Sequence, residues 1–291
     1  MPIFALLSAC SGGSGGALVS TPTPPASYTK IADMTGDRTF QTGGIQYNSA
    51  PSGFSNTSTF AFGNGVTVAY TAASDSYKLT APDGSTVTFD PSNIQAPPAG
   101  STTQVWAKTA GTIHDQFSLS VPTVSGVPLS YTLTGSWQHF DTATNTALVR
   151  LAVGGAPTIA SDMPKTGTAT YSTTVGGAAN MPGGATPSYL LTGNSTATFS
   201  ANFGTGAIST TLTLAGTQPS TGATVTNFGT FTGTGSIGSG GPGFTGTLAG
   251  TGANGVFSGA FFGPQALEMG YDWSLNGGSF TAVGAVTGRK N

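Results

Sequence analysis

Charged side chains are scarce in this sequence. Lysine, arginine, aspartate and glutamate make up 6% of it, against roughly 25% in an average soluble domain. Eight basic residues, nowhere clustered, cannot supply the cationic footprint that releases counterions from a nucleic acid, so nucleic-acid binding is excluded. One glutamate, Glu268, and two histidines, His114 and His139, leave little for paired-carboxylate or Ser-His-Asp chemistry. The glycine-rich stretches at 12–16 and 233–238 lack the Gly-Lys-Ser/Thr ending of a phosphate loop, and no Gly-x-Ser-x-Gly stands at a strand-to-helix turn. The expectation is a binding protein, not an enzyme, with no cofactor of its own and no metal site. A single cysteine rules out an internal disulfide and any multi-cysteine metal centre. With no run of about 18 apolar residues, no helix is expected to cross a bilayer.

Glycine, serine and threonine fill the space that charge leaves; glycine alone occurs 45 times. Seventeen phenylalanines, eight tyrosines and three tryptophans supply a core, which a disordered chain would lack. Residues poor in helix propensity and rich in strand and turn propensity point to an all-β protein.

The single cysteine is informative by position. Leu7-Ser8-Ala9-Cys10 has the form of a bacterial lipobox, with small residues before a cysteine that takes a diacylglycerol. Residues 1–10 then read as the remnant of a lipoprotein signal. Residues 11–27 read as a Gly/Ser/Pro linker that lifts a folded body off a membrane. No lysine or arginine precedes Cys10, which a signal peptide requires; an initiator about ten residues upstream would supply it.

From Thr166 onward the sequence alternates with period two, which strands with one buried face produce. In 196–203 the apolar set is Ala197, Phe199, Ala201 and Phe203. In 267–275 it is Leu267, Met269, Tyr271, Trp273 and Leu275, with Glu268, Gly270, Asp272 and Ser274 on the other side. Eight strands are expected, at about 166–175, 195–203, 206–214, 224–237, 243–249, 254–262, 267–275 and 279–287, with glycine-rich turns between them. Phe231-Thr-Gly-Thr, Phe244-Thr-Gly-Thr and Phe257-Ser-Gly-Ala recur thirteen residues apart, one strand plus one turn. Eight up-and-down strands can close into a barrel that side chains just fill. Alternation does not name the inner face. The hydroxylated set is small and carries few charges, which favours a soluble barrel with apolar residues inside and hydroxyls in water; a membrane-embedded barrel with the faces reversed is the rival.

Three stretches resemble a known family. Ser161-Asp162-Met163-Pro164-Lys165-Thr166-Gly167-Thr168-Ala169-Thr170-Tyr171 resembles the opening of the barrel in transferrin-binding protein B and related surface lipoproteins. Gly259-Ala260-Phe261-Phe262-Gly263-Pro264-Gln265-Ala266-Leu267-Glu268 resembles the block near its end, and residues 282–290 resemble its final strand. The resemblance implies a handle domain at 28–160 and the barrel at 161–291. It also implies a lipid-anchored protein on the outer membrane, exposed at the cell surface. Such proteins capture iron-carrying host proteins, haem or other cargo, often beside a TonB-dependent outer-membrane transporter. The alternative is an adhesive or structural surface lipoprotein with no transport role. The transferrin receptor itself has two lobes, and this chain has room for one, which puts transferrin as cargo in doubt.

Within 28–160, the alternating run 77–89 around Asp83-Gly84 reads as a hairpin, and 130–137 is expected to pair with 146–153 across a turn at Thr144-Asn145. His139 lies near Trp137, Phe140 and Tyr131, and His114 precedes Asp115. A histidine beside aromatics is a haem-ligand candidate, although a surface histidine is the ordinary reading of each. Glu268 is expected to be structural, pairing with a donor at a strand start.

Overall fold

A computed structural model of the chain describes residues 27–50, 53–97, 102–181, 188–191, 193–219, 225–250 and 252–291. Cys10 and the expected signal and linker segments, except Ser27, lie outside the described residues.

The first half contains thirteen described strands: β1 (Arg38–Phe40), β2 (Gly43–Ala50), β3 (Gly53–Phe60), β4 (Thr67–Thr71), β5 (Ser76–Thr80), β6 (Thr86–Phe89), β7 (Ile94–Gln95), β8 (Gln104–Ala110), β9 (Ile113–Ser120), β10 (Thr123–Val124), β11 (Val127–Pro128), β12 (Thr132–Asp141) and β13 (Thr146–Gly155). They form a four-stranded sheet in the order β1-β4-β5-β6, a seven-stranded sheet in the order β3-β2-β13-β12-β9-β8-β7, and the small β10-β11 ribbon. The hairpin around Asp83-Gly84 is β5–β6, with Tyr77 opposite Phe89. Asn145, at φ +52°, turns β12 into β13, and Asn and Gly are the residues that take this conformation at least strain. Asn64-Gly65 lies where the chain passes from β3 of one sheet to β4 of the other.

The second half supplies β14 (Thr168–Asn180), β15 (Ser188–Leu190), β16 (Thr196–Asn202), β17 (Ala207–Thr217), β18 (Val225–Ile237), β19 (Gly243–Gly250), β20 (Ala253–Phe262), β21 (Glu268–Gly277) and β22 (Thr281–Lys290). β14 and β16 to β22 pair in succession, and β22 returns to β14 from Tyr171↔Lys290 to Asn180↔Thr281. The result is an eight-stranded closed antiparallel barrel. The short β15, not expected from the sequence, ties β14 to β17 at one end. Several strands run further than the glycine punctuation suggests: Ala253 still pairs with Gly277, because a closed barrel offers each strand a partner on both sides.

The apolar set points inward. Phe199, Ala201, Phe231, Phe244, Phe257, Met269, Tyr271 and Trp273 are all buried in one core, and each such large side chain contributes roughly 1.5–3 kcal/mol by leaving water. This is the reverse of a lipid-facing barrel. The thirteen-residue echo has a packing reason. Its phenylalanines stand on neighbouring strands, and the glycine two positions on faces the same way. A Cβ added at Gly246 would collide with the Phe257 ring, so inward glycines make room for inward rings. Tyr271 hydroxyl meets the Thr210 hydroxyl at 2.7 Å, and burial pushes its pKa up.

The outer face departs from expectation on one side. Asp272 and Ser274 on β21, Ser258 on β20 and Thr287 on β22 were expected to meet water but are buried, and Glu268, expected to pair with a donor, is buried beside them. The seven-stranded sheet lies against this wall. Ile45, Tyr47, Ala147 and Val149 pack on Val283, and Tyr131 and Val153 pack on Ala260 and Phe262. Leu267, placed by alternation in the barrel interior, packs in this second layer, because β21 begins only at Glu268. The opposite face of the seven-stranded sheet carries Trp106, Phe117 and Trp137 against Leu79, Val87 and Phe89 of the four-stranded sheet. The molecule therefore stacks as sheet, sheet and barrel.

Candidate functional site

The segments that carry the family resemblance meet at the joint between barrel and sheet. Asp162 accepts hydrogen bonds from the Tyr28 hydroxyl at 2.8 Å and the Gln265 backbone N–H at 3.0 Å, and from the Gln265 side-chain amide. Desolvation is the largest single influence on its carboxyl and pushes the pKa up, but the bonds from Gln265 and Tyr28 together outweigh it and hold the carboxyl below the usual range. Gly263 sits at φ +69° against the Tyr131 ring, where a Cβ would clash. Glu268 is fully buried and accepts from Ser130 N–H at 2.6 Å, Tyr131 N–H at 2.9 Å and the Thr132 hydroxyl at 2.9 Å. Arg289 stands 3.7 Å from the same carboxylate. The lone glutamate is thus a clasp between β21 and the start of β12.

The two histidines do not form one site. His139 stands opposite Asp115, and His114 stands opposite Phe140, so neighbours on alternating positions place them on opposite faces of the sheet. His114 Nδ1 lies 2.8 Å from the Thr109 hydroxyl. His139 Nδ1 lies 2.8 Å from Asp115 Oδ1, which also accepts the Trp137 indole N–H at 3.0 Å. The His139 side chain is 40% exposed. A carboxylate on one ring nitrogen orients a histidine and leaves the other nitrogen free to ligate, so His139 is the better placed of the pair. Among the described residues no cluster of three or more His, Cys, Asp or Glu is arranged to hold a metal.

Sequence reasoning missed Arg150. It is 3% exposed, lies with its guanidinium carbon 4.4 Å from the Trp137 ring centre, donates to Gln46 Oε1 at 2.9 Å, and pairs with Asp83 at 3.0 Å. It bolts the β5–β6 turn to the seven-stranded sheet. The signal was available: one cation interrupts the apolar run Leu148-Val149-Arg150-Leu151.

Residues 163–290 match the family model described as the C-lobe and N-lobe beta barrels of Tf-binding protein B. Over these residues the barrel is similar to the barrels of Tf-binding protein B. Among solved structures, a transferrin-binding protein B from Haemophilus parasuis Hp5 is 15% identical, with 78% of this chain and 53% of that chain covered and a TM-score of 0.41. The isotype 1 transferrin-binding protein B of serogroup B Neisseria meningitidis is 18% identical, with 86% and 43% covered and a TM-score of 0.43. The N-lobe domain of lactoferrin-binding protein B from Moraxella bovis is 15% identical, with 65% and 80% covered and a TM-score of 0.35. The chain spans about half the length of the first two. No curated protein matches it. Among the described residues, no helix is long and apolar enough to cross a membrane.

Proposed function

We propose that this chain is a surface lipoprotein that binds a host iron-carrier protein. Cys10 would bear the lipid that holds it to the outer membrane, and it would act by binding, without catalysis. The match of residues 163–290 to the transferrin-binding protein B barrel carries this reading. The stacked sheets and the clasped barrel support it, since a rigid body presents loops to a partner at low entropic cost. Delivery of the cargo to a TonB-dependent receptor, and haem as an alternative cargo held by His139, are the finer parts of the proposal.

The test has two arms. In cells, replacing Cys10→Ala should abolish labelling by palmitate and release the protein from the membrane; unchanged labelling would remove the anchor. Binding of the purified chain to immobilised transferrin, lactoferrin and haemoglobin should give saturable capture of one of them. Failure with all three, with a Soret band on haem titration that His139→Ala abolishes, would move the reading to haem. Failure of both, with capture by matrix glycans, would make it an adhesin.

A further inference from the structure

A groove of about 350 Å³ opens between the edge of the four-stranded sheet and the seven-stranded sheet. Its size falls at the lower end of the range for small-molecule sites. Phe40, Leu119 and Leu133 form its apolar floor and continue inward to line the narrow space between the two sheets. Tyr70 and Tyr77 form one wall, their ring centres 4.9 Å apart, and Tyr77 leans on Trp106 at 4.8 Å. This aromatic wall is held from behind, so it is preformed.

The polar groups give the groove a sign. Among the described lining residues, Arg38 alone carries a charge. Arg38 Nη1 donates to the Asp37 carbonyl at 2.8 Å, which leaves the rest of the guanidinium fork for a ligand. Asp37 and Asp75 keep their charge but are absent from the groove lining: Asp37 Oδ1 accepts Ala72 N–H at 2.8 Å, and Asp75 Oδ1 accepts the Tyr70 hydroxyl at 3.0 Å. That bond raises the pKa of Tyr70, and burial pushes Tyr77 to about 12, so both phenols remain neutral and add no anion to the wall.

We propose that this groove binds a small amphiphilic anion, its aromatic or aliphatic body against Phe40 and Tyr77 and its carboxylate or sulfonate on Arg38. A planar guanidinium suits such a head group because it offers paired, charge-assisted donors. The apolar floor supplies affinity and Arg38 supplies selection for charge. The site is independent of the protein-capture reading and stands or falls separately.

The test is a titration of the full chain with 8-anilinonaphthalene-1-sulfonate, read by fluorescence. One saturable site is expected, displaced by 4-phenylbutyrate and not by 4-phenyl-1-butanol. Arg38→Gln, on a three-residue edge strand, should weaken the sulfonate about tenfold while leaving the neutral N-phenyl-1-naphthylamine within twofold. Met34→Trp, at the groove wall, should block both probes. Circular dichroism and the melting temperature establish that each variant is folded. Absence of saturable binding, or binding that neither substitution alters, overturns the proposal.

Discussion

Asp272 on β21 stands directly opposite Ser258 on β20, and both side chains are buried with no hydrogen bond of normal geometry to any oxygen. The backbone of Val153 approaches the Asp272 carboxyl and offsets only part of its desolvation, so the pKa lies well above the usual carboxylate range. Among the described residues no cation pairs with it. Arg289 faces Glu268 at the end of the same strand, and Arg150 projects from the far side of the seven-stranded sheet. Tyr47, packed in the same layer, is itself pushed to about 12 by burial.

A carboxyl with a raised folded pKa contributes its stability fully below the unfolded value near 4 and loses it as pH rises toward the folded value. Asp272→Asn mimics the protonated form. It should match the parent near pH 4 and exceed it by about 1–3 kcal/mol at neutral pH, or several degrees in melting temperature. Calorimetry at pH 4, 7 and 9 checks this; a difference that does not change with pH would show that Asp272 is ionised in the folded state.

Glu268 is buried on the same strand but accepts from three donors. Glu268→Ala strands those donors and should destabilise by about 3 kcal/mol. Hydrogen exchange at Ser130 and Tyr131 should accelerate more than in the barrel strands. Equal acceleration everywhere would mean that the clasp does not act locally.

Arg150 and Asp83 are bonded, yet their removal should differ in effect. The Asp83 side chain is 54% exposed, and its low pKa owes most to Ser85 hydrogen bonds, with Arg150 contributing less. Asp83→Ala should cost less than about 1 kcal/mol. Arg150→Ala removes a buried stack on Trp137 and should cost about 2–4 kcal/mol. Denaturant midpoints measure both, and equal losses would place the energy in the ion pair.

Gly246→Val tests the narrowness of the barrel. The added side chain meets the Phe257 ring, and overpacking of this kind costs about 1–3 kcal/mol. The paired change Gly246→Val with Phe257→Ala should recover part of that loss in chemical denaturation. No recovery would locate the clash elsewhere.

The strands of the barrel were legible because their signal is local. Period-two alternation in 196–203 and 267–275, and the repeated Phe-Thr-Gly-Thr, name two faces without any knowledge of the fold. The β12–β13 hairpin was legible for the same reason, with Asn145 supplying the turn. The histidines were not. Nothing near His114 or His139 in the sequence tells that one faces Asp115 and the other Phe140, since strand pairing sets that.

By itself, the sequence determined which residues share a face, where the chain turns, and that the whole is built from strands, since each depends on neighbours a few residues away. Only the tertiary structure decided that the greasy face lies inside the barrel and that one sector of its outer wall, including Asp272 and Glu268, is buried again beneath β2 and β13. Burial of that kind depends on surfaces brought together from more than a hundred residues apart, as Glu268 and Ser130 are, and alternation within a strand carries no information about them.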